Sequence, residues 1–213
     1  MAIELAYDLT RDNITRGNIP DATLARKWFP YLAALFFFIW FSNMIGYVPL
    51  PTNTEHSIDI FGLSVPSLAI YAATANISIP LVLALISTVA YHVEGIREKG
   101  AIKYFASWLP PGLESMNVFG KAGIFMIEVV SHLVRPISLS VRLFANILAG
   151  HLLILFMAGG LAVLLGLAAL GALTFPMAFA FFVFEIGLVA TLQAFIFSTL
   201  TAIYIGGATA ESH

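Results

Sequence analysis

Two apolar segments, residues 121 to 157 and 174 to 205, are each far longer than the roughly 20 residues a helix needs to cross a hydrocarbon layer about 30 Å thick. At 1.5 Å per residue the second would be about 48 Å long and the first longer still. Such segments either break or lie steeply tilted. No proline interrupts 177 to 205, which favours tilt there, whereas Pro136 stands near the middle of the first and is a candidate bend. Between them, GGLAVLLGLAALGAL reads as a Gly- and Ala-rich turn region. With 60% hydrophobic and 10% charged residues, against roughly 25% charged in soluble domains, the chain is an integral membrane protein. Its apolar runs read as helices, because hydrocarbon leaves no other partner for the backbone.

The earlier part reads as two ordinary spans. WFPYLAALFFFIWFSNMIGYVPL (28 to 50) crosses once, its ALFFFIWF run facing lipid, and SLAIYAATANISIPLVLALISTVAYH (67 to 92) crosses back, with a kink expected at Pro80. Arg11, Arg16, Arg26 and Lys27 precede the first span, and Arg97, Lys99 and Lys103 follow the second. The intervening loop, 51 to 66, has no basic residue and carries Glu55 and Asp59. Positive-inside bias puts the N-terminus and the 93 to 120 loop in the cytoplasm and 51 to 66 outside. If the later hairpin turns outside, ATAESH ends in the cytoplasm. The expected organisation is a polar N-terminal segment (1–27), two transmembrane helices with their loops (28–120), and a long tilted helical hairpin (121–213) carrying the functional residues.

Much is excluded. The N-terminus has no basic stretch leading into an apolar core, so it does not read as a signal peptide. No cysteine is present, hence no thiolate metal site, and no cofactor is expected. The net charge of −2, without a large basic patch, argues against nucleic acid. No Gly-rich phosphate loop, HExxH or GxSxG occurs. Any chemistry has to lie inside the membrane.

Past Lys121 at the edge of the first, six charged or histidine residues fall within the two long segments: Glu128, His132, Arg135, Arg142, His151 and Glu185. Each costs about 2.5 to 3.5 kcal/mol at the bilayer centre on insertion scales, so each is a functional candidate. Glu128, Arg135 and Arg142 are spaced by seven and drift only about 20° per step on a helix; His132 and Asn146 lie within about 40° of that stripe. His151 faces the other way, turned about 180° from Arg142. Along the axis Glu128 stands about 21 Å before Arg142 and His151 about 13 Å after it. The layout suggests two proton half-paths separated by a fixed charge. Arginine suits the separator because a guanidinium does not give up its proton, whereas glutamate and histidine are readily tuned to working pH. Plainer readings stand beside this one. Arg135 can snorkel to the headgroups, and His151 and Glu185 can merely lock two helices together. Ser138, Ser140 and Asn146, and more so Asn43 and Asn76, can be ordinary helix packing.

At RLFANILAGH the sequence resembles the a subunit of the rotary F-type ATP synthase, the membrane stator beside the proteolipid ring. TLQAFIFSTLTAIYI (191 to 205) and the ATANIS stretch, similar to that family's (S/T)ADxN pattern, extend the resemblance over essentially the whole chain. It implies that Arg142 faces the ring carboxylates and separates the half-channels. It also implies that Asn146, His151 and Gln193, with Glu185 in the exchanged order some members show, belong to the outer-side path, and Glu128 to the cytoplasmic path, where His132 and Ser138 are further candidates. The implied partners are the proteolipid ring, the peripheral-stalk b subunits and membrane lipid, in a bacterial plasma membrane, with no catalytic site on this chain. Three departures are visible. Glu185 stands eight residues before Gln193 where seven is expected, which on a regular helix turns it about 100° away. Asn76 replaces a common Asp. The chain also begins where relatives are already past their first transmembrane helix.

Two other functions compete. A self-contained channel or transporter predicts inverted repeats with paired broken helices, and none is visible. A scaffold predicts that the buried charges only fix helix register. Protons are favoured over Na⁺ because the paths offer titratable groups, not a cage of oxygen ligands.

Overall fold

A computed structural model describes residues 4, 7–47, 58–60, 63–65, 73–109, 117–157 and 168–210. The fold is all-α: α1 (Ala22–Gly46), α2 (Ser78–Lys99), α3 (Ala101–Ala106), α4 (Val118–Leu155), α5 (Ala168–Phe184) and α6 (Ala190–Thr209). A π-helical turn, Glu185–Val189, joins α5 to α6, and a π-helical segment, Leu9–Arg16, precedes α1. In the connection after α1, a three-residue ribbon pairs β1 (Ile58–Ile60) with β2 (Leu63–Val65) antiparallel. Among the described residues, four helices are long and apolar enough to cross a membrane: 22–46, 78–99, 118–155 and 174–209.

Several boundaries differ from the sequence expectation. The second crossing helix begins at Ser78, not at 67, and runs on to Lys99. Pro80 therefore stands in its first turn, where no intrahelical N–H is needed, and cannot act as a mid-helix kink. α4 continues through Pro136 as one helix of 38 residues, about 57 Å long. The ring nitrogen of Pro136 has no proton for the His132 carbonyl, so that oxygen is released from the ladder. Helix α5 begins at Ala168, inside the stretch expected to turn; residues 158–167 lie outside the described residues. The ALFFFIWF run is not simply lipid-facing. Leu32, Leu35, Phe36 and Ile39 are buried at spacings of three and four, while Phe38 and Phe41 are exposed.

The chain forms two compact units. One comprises residues 1–37, 77–143 and 194–213, the other 38–76 and 144–193.

In the first unit α1 starts at Asp21, whose carboxylate accepts from the N–H and hydroxyl of Thr23. These bonds hold the Asp21 carboxyl below the usual carboxylate range. A depressed folded value means that the cap acts fully above that range and is lost as pH falls through it. Helices α1 and α2 are tied by Tyr31 to Ser87 (2.9 Å) and by an ion pair between Lys27 and Glu94. Glu94 is 1% exposed whereas Lys27 is half exposed. Gly100, at φ +79°, makes the reversal from α2 into α3, a conformation that favours glycine. This sets the buried Tyr104 against α2, its hydroxyl 2.7 Å from His92 Nδ1. Burial pushes the Tyr104 phenol up.

In the second unit the end of α1 is held by two polar ties. Trp40 Nε1 donates to Thr191 Oγ1 (3.0 Å), and Thr74, in the ATANIS stretch, donates to the buried Asn43 (2.8 Å). Asn43 thus serves as interhelical packing.

Removing one partner of a buried ion pair leaves an uncompensated charge. Because Lys27 is half exposed, Lys27→Ala is expected to cost about 1 to 3 kcal/mol, below the 3 to 5 typical of a fully buried pair. Thermal unfolding in detergent should show this loss, and Lys27→Ala combined with Glu94→Leu should recover most of it.

Candidate functional site

The first unit gathers Glu128, His132 and Arg135 on one face of α4. Their spacing of four and three residues makes them neighbours on a helix surface. Glu128 Oε1 lies 3.5 Å from Arg135 Nη2 and 3.7 Å from His132 Nε2. Arg135 Nη1 lies 3.3 Å from His132 Nδ1, which also meets the Tyr91 hydroxyl at 3.0 Å. A guanidinium can only donate, so Nδ1 is the accepting nitrogen and the ring proton sits on Nε2, toward Glu128. The His132 ring stacks on Trp108 (4.2 Å, 22°), and Arg135 lies over the Tyr204 ring at 5.0 Å. Arg135 is thus a member of this cluster. The cluster borders an open cavity of about 570 Å³, whose wall also includes Lys99. It sets a carboxylate and an imidazole beside one fixed cation.

Arg142 is on the same helix and is exposed. Ser138 and Ala145, four residues before it and three after, and Ala149, seven after, are also exposed and small, while Leu139, Leu143 and Ile147 are buried. One face of α4 therefore packs inside the chain. The opposite face offers a guanidinium among small side chains.

The second unit gathers His151 and Glu185 around a residue that the sequence did not single out. Tyr47, 4% exposed and one residue beyond α1, donates its hydroxyl to Glu185 Oε2 at 2.9 Å. Its ring stacks parallel on His151 (5.1 Å, 9°). His151 Nε2 lies 2.9 Å from the Gly46 carbonyl and Nδ1 2.8 Å from the Ile147 carbonyl. Gly150 allows this packing, since a Cβ there would come within 2.7 Å of both Glu185 Oε2 and the Tyr47 hydroxyl. Asn146 is half-buried, and Gln193 is 3% exposed.

The eight-residue interval from Glu185 to Gln193 does not turn Glu185 away as a regular helix would. The N–H of Ala190 donates to the Glu185 carbonyl, five residues back, which marks the π turn over Glu185–Val189. A π turn accommodates one extra residue in a helix. The remaining rotation is that of a seven-residue α-helical interval, about 20° from coincidence. Glu185 and Gln193 accordingly share a face.

A family model for the ATP synthase A chain matches residues 1–206. The chain belongs to that family. It is similar to ATP synthase subunit a of Parafrankia sp. (strain EAN1pec), 36% identical over 208 residues covering 96% of this chain and 63% of that relative. It is also similar to ATP synthase subunit a of Myxococcus xanthus (34% identical; 99% of this chain, 61% of the relative) and of Campylobacter concisus (37%; 92% and 70%). The chain thus spans 61 to 63% of the length of the Myxococcus and Parafrankia relatives.

Sequence reasoning missed Tyr47, Tyr91, Trp108 and Tyr204, all aromatic residues with a polar or stacking role. An aromatic residue in a membrane chain carries no charge cost, so it raises no alarm when read alone.

The π turn yields a direct structural prediction. In a chain without native cysteine, the pair Gly150→Cys and Glu185→Cys is expected to form a disulfide on mild oxidation. Deleting Gly187 should preserve it, because the π turn becomes an α turn with the same phase. Inserting one alanine after Val189 should reduce it at least fivefold by turning position 185 about 100°.

Proposed function

We propose that this chain is the a subunit of an ATP synthase membrane sector and passes protons through two half-paths to and from a rotating proteolipid ring. The observation that carries this reading is the exposed Arg142 at the centre of a small-residue face of α4, in a chain of this family with titratable clusters before and after it in sequence. A guanidinium on an outward face is accessible to an anionic group presented by another chain. Ring carboxylates would fill that role. Because Arg142 stays charged, it attracts an ionised carboxylate and cannot relay its proton.

In this reading protons enter from the outer side past His151, Glu185, Asn146 and Gln193, load a ring carboxylate, and leave past Glu128, His132 and Ser138 toward the cytoplasm. The Arg135 cluster supports the exit role. A carboxylate beside a fixed cation stays ready to pass a proton on to the open cavity. The lengths of α4 and of the α5 to α6 run support a tilted hairpin lying along the ring. The partners are the ring, the peripheral-stalk b subunits and lipid. The membrane is the bacterial plasma membrane, and no nucleotide site is assigned to this chain.

Lysine keeps a positive charge but loses it readily when desolvated and lacks the planar fork. Arg142→Lys is therefore expected to reduce proton-driven ATP synthesis in inverted vesicles at least 100-fold, with the complex assembled. Synthesis within twofold of the parent would contradict the separator role.

A further inference from the structure

We propose that Tyr47 is a positioning residue that joins His151 and Glu185 into one proton-exchanging unit; the proposal rests on the outer-side path described above. Among the described residues, the titratable groups that contact Tyr47 are these two, one through its hydroxyl and one through its ring face. They come from different elements, α4 and the π turn, and the end of α1 holds both.

The chemistry of the two contacts differs. The phenol donates to Oε2, so it favours Glu185 in the state in which that oxygen accepts, and it fixes Oε1 as the oxygen that takes and gives the exchanged proton. The O–H bond of Tyr47 is not broken in this step. A proton that leaves the His151 imidazolium adds to Oε1, so the imidazole and the carboxyl both become neutral with the Tyr47 contact in place. On the other side the aromatic face lies flat against the imidazole of His151, where it stabilises the ring when it carries positive charge. The Gly46 carbonyl lies 2.9 Å from Nε2 and the Ile147 carbonyl 2.8 Å from Nδ1. A neutral imidazole has one N–H and can donate to only one of these carbonyls; the protonated ring donates to both. Gly46 and Tyr47 together hold the two groups on either side of one phenol.

Gly150 is the independent mark of this arrangement. Any side chain there would come within 2.7 Å of both the phenol oxygen and Glu185 Oε2. The backbone of α4 approaches this polar contact more closely than a residue with a Cβ permits.

The test uses the whole ATP synthase in inverted vesicles, with assembly checked and lumenal pH varied. Tyr47→Phe keeps the stacked ring and removes only the hydroxyl. It is expected to lower proton-driven synthesis about five- to tenfold and to move the half-maximal point of the lumenal pH profile about one unit alkaline, since a hydrogen bond to the ionised carboxylate is lost. Tyr47→Leu, which also removes the stacking, is expected to lower the rate further. Tyr47→Phe with unchanged rate and profile beside an impaired Tyr47→Leu would reduce Tyr47 to packing and overturn the proposal. Glu185→Gln separates the two levels. If it abolishes synthesis while Tyr47→Phe is silent, only the role of Tyr47 is overturned; if it leaves synthesis unchanged, the outer path through Glu185 falls and the proposal with it.

Discussion

An ionised side chain inside a hydrocarbon layer must have a partner, and the structure of this protein is arranged around that requirement. Burial of a lone charge costs several kcal/mol, an appreciable share of the stability of a typical domain. The six ionisable groups of the long helices are accordingly handled in three ways. Glu128 and His132 are neighbours of Arg135, and Glu185 and His151 meet at Tyr47. Arg142 is placed on an exposed face of α4. In the proposed mechanism its exposed guanidinium also meets the carboxylates of the ring, so the charge serves the contact with another chain.

The fold class was legible because composition and run length constrain membrane helices more tightly than they constrain soluble ones. Among the described residues, the four crossing-competent helices follow from the apolar runs. Their boundaries were less legible. Pro80 looked like an interruption because hydropathy cannot distinguish a proline in a first turn from one in mid-helix. The seven-residue spacing of Glu128, Arg135 and Arg142 was visible as a stripe, since it needs only a regular helix, and α4 is one helix throughout.

The fine structure of the site was hidden for specific reasons. Helical arithmetic assumed 100° per residue through Glu185 to Gln193, and the π turn breaks that assumption by one residue. No local sequence signal announces a π turn; Glu-Ile-Gly-Leu-Val is an unremarkable apolar stretch apart from its carboxylate. Tyr47 falls near the end of the first expected span, where tyrosine is common. Only the approach of α4 and the π turn to the end of α1 gives its hydroxyl a carboxylate. In the proposed account such aromatic residues, together with a glycine at position 150, set the geometry in which the charged residues act.

The central claim is that Arg142 keeps two proton paths apart, and passive proton leak through the assembled complex in vesicles tests it most directly. The account predicts that Arg142→Ala raises the leak severalfold above the parent and that adding Glu185→Gln returns it to the parental level by closing the outer path. A parental leak in assembled Arg142→Ala, or a raised leak indifferent to Glu185→Gln, would contradict it.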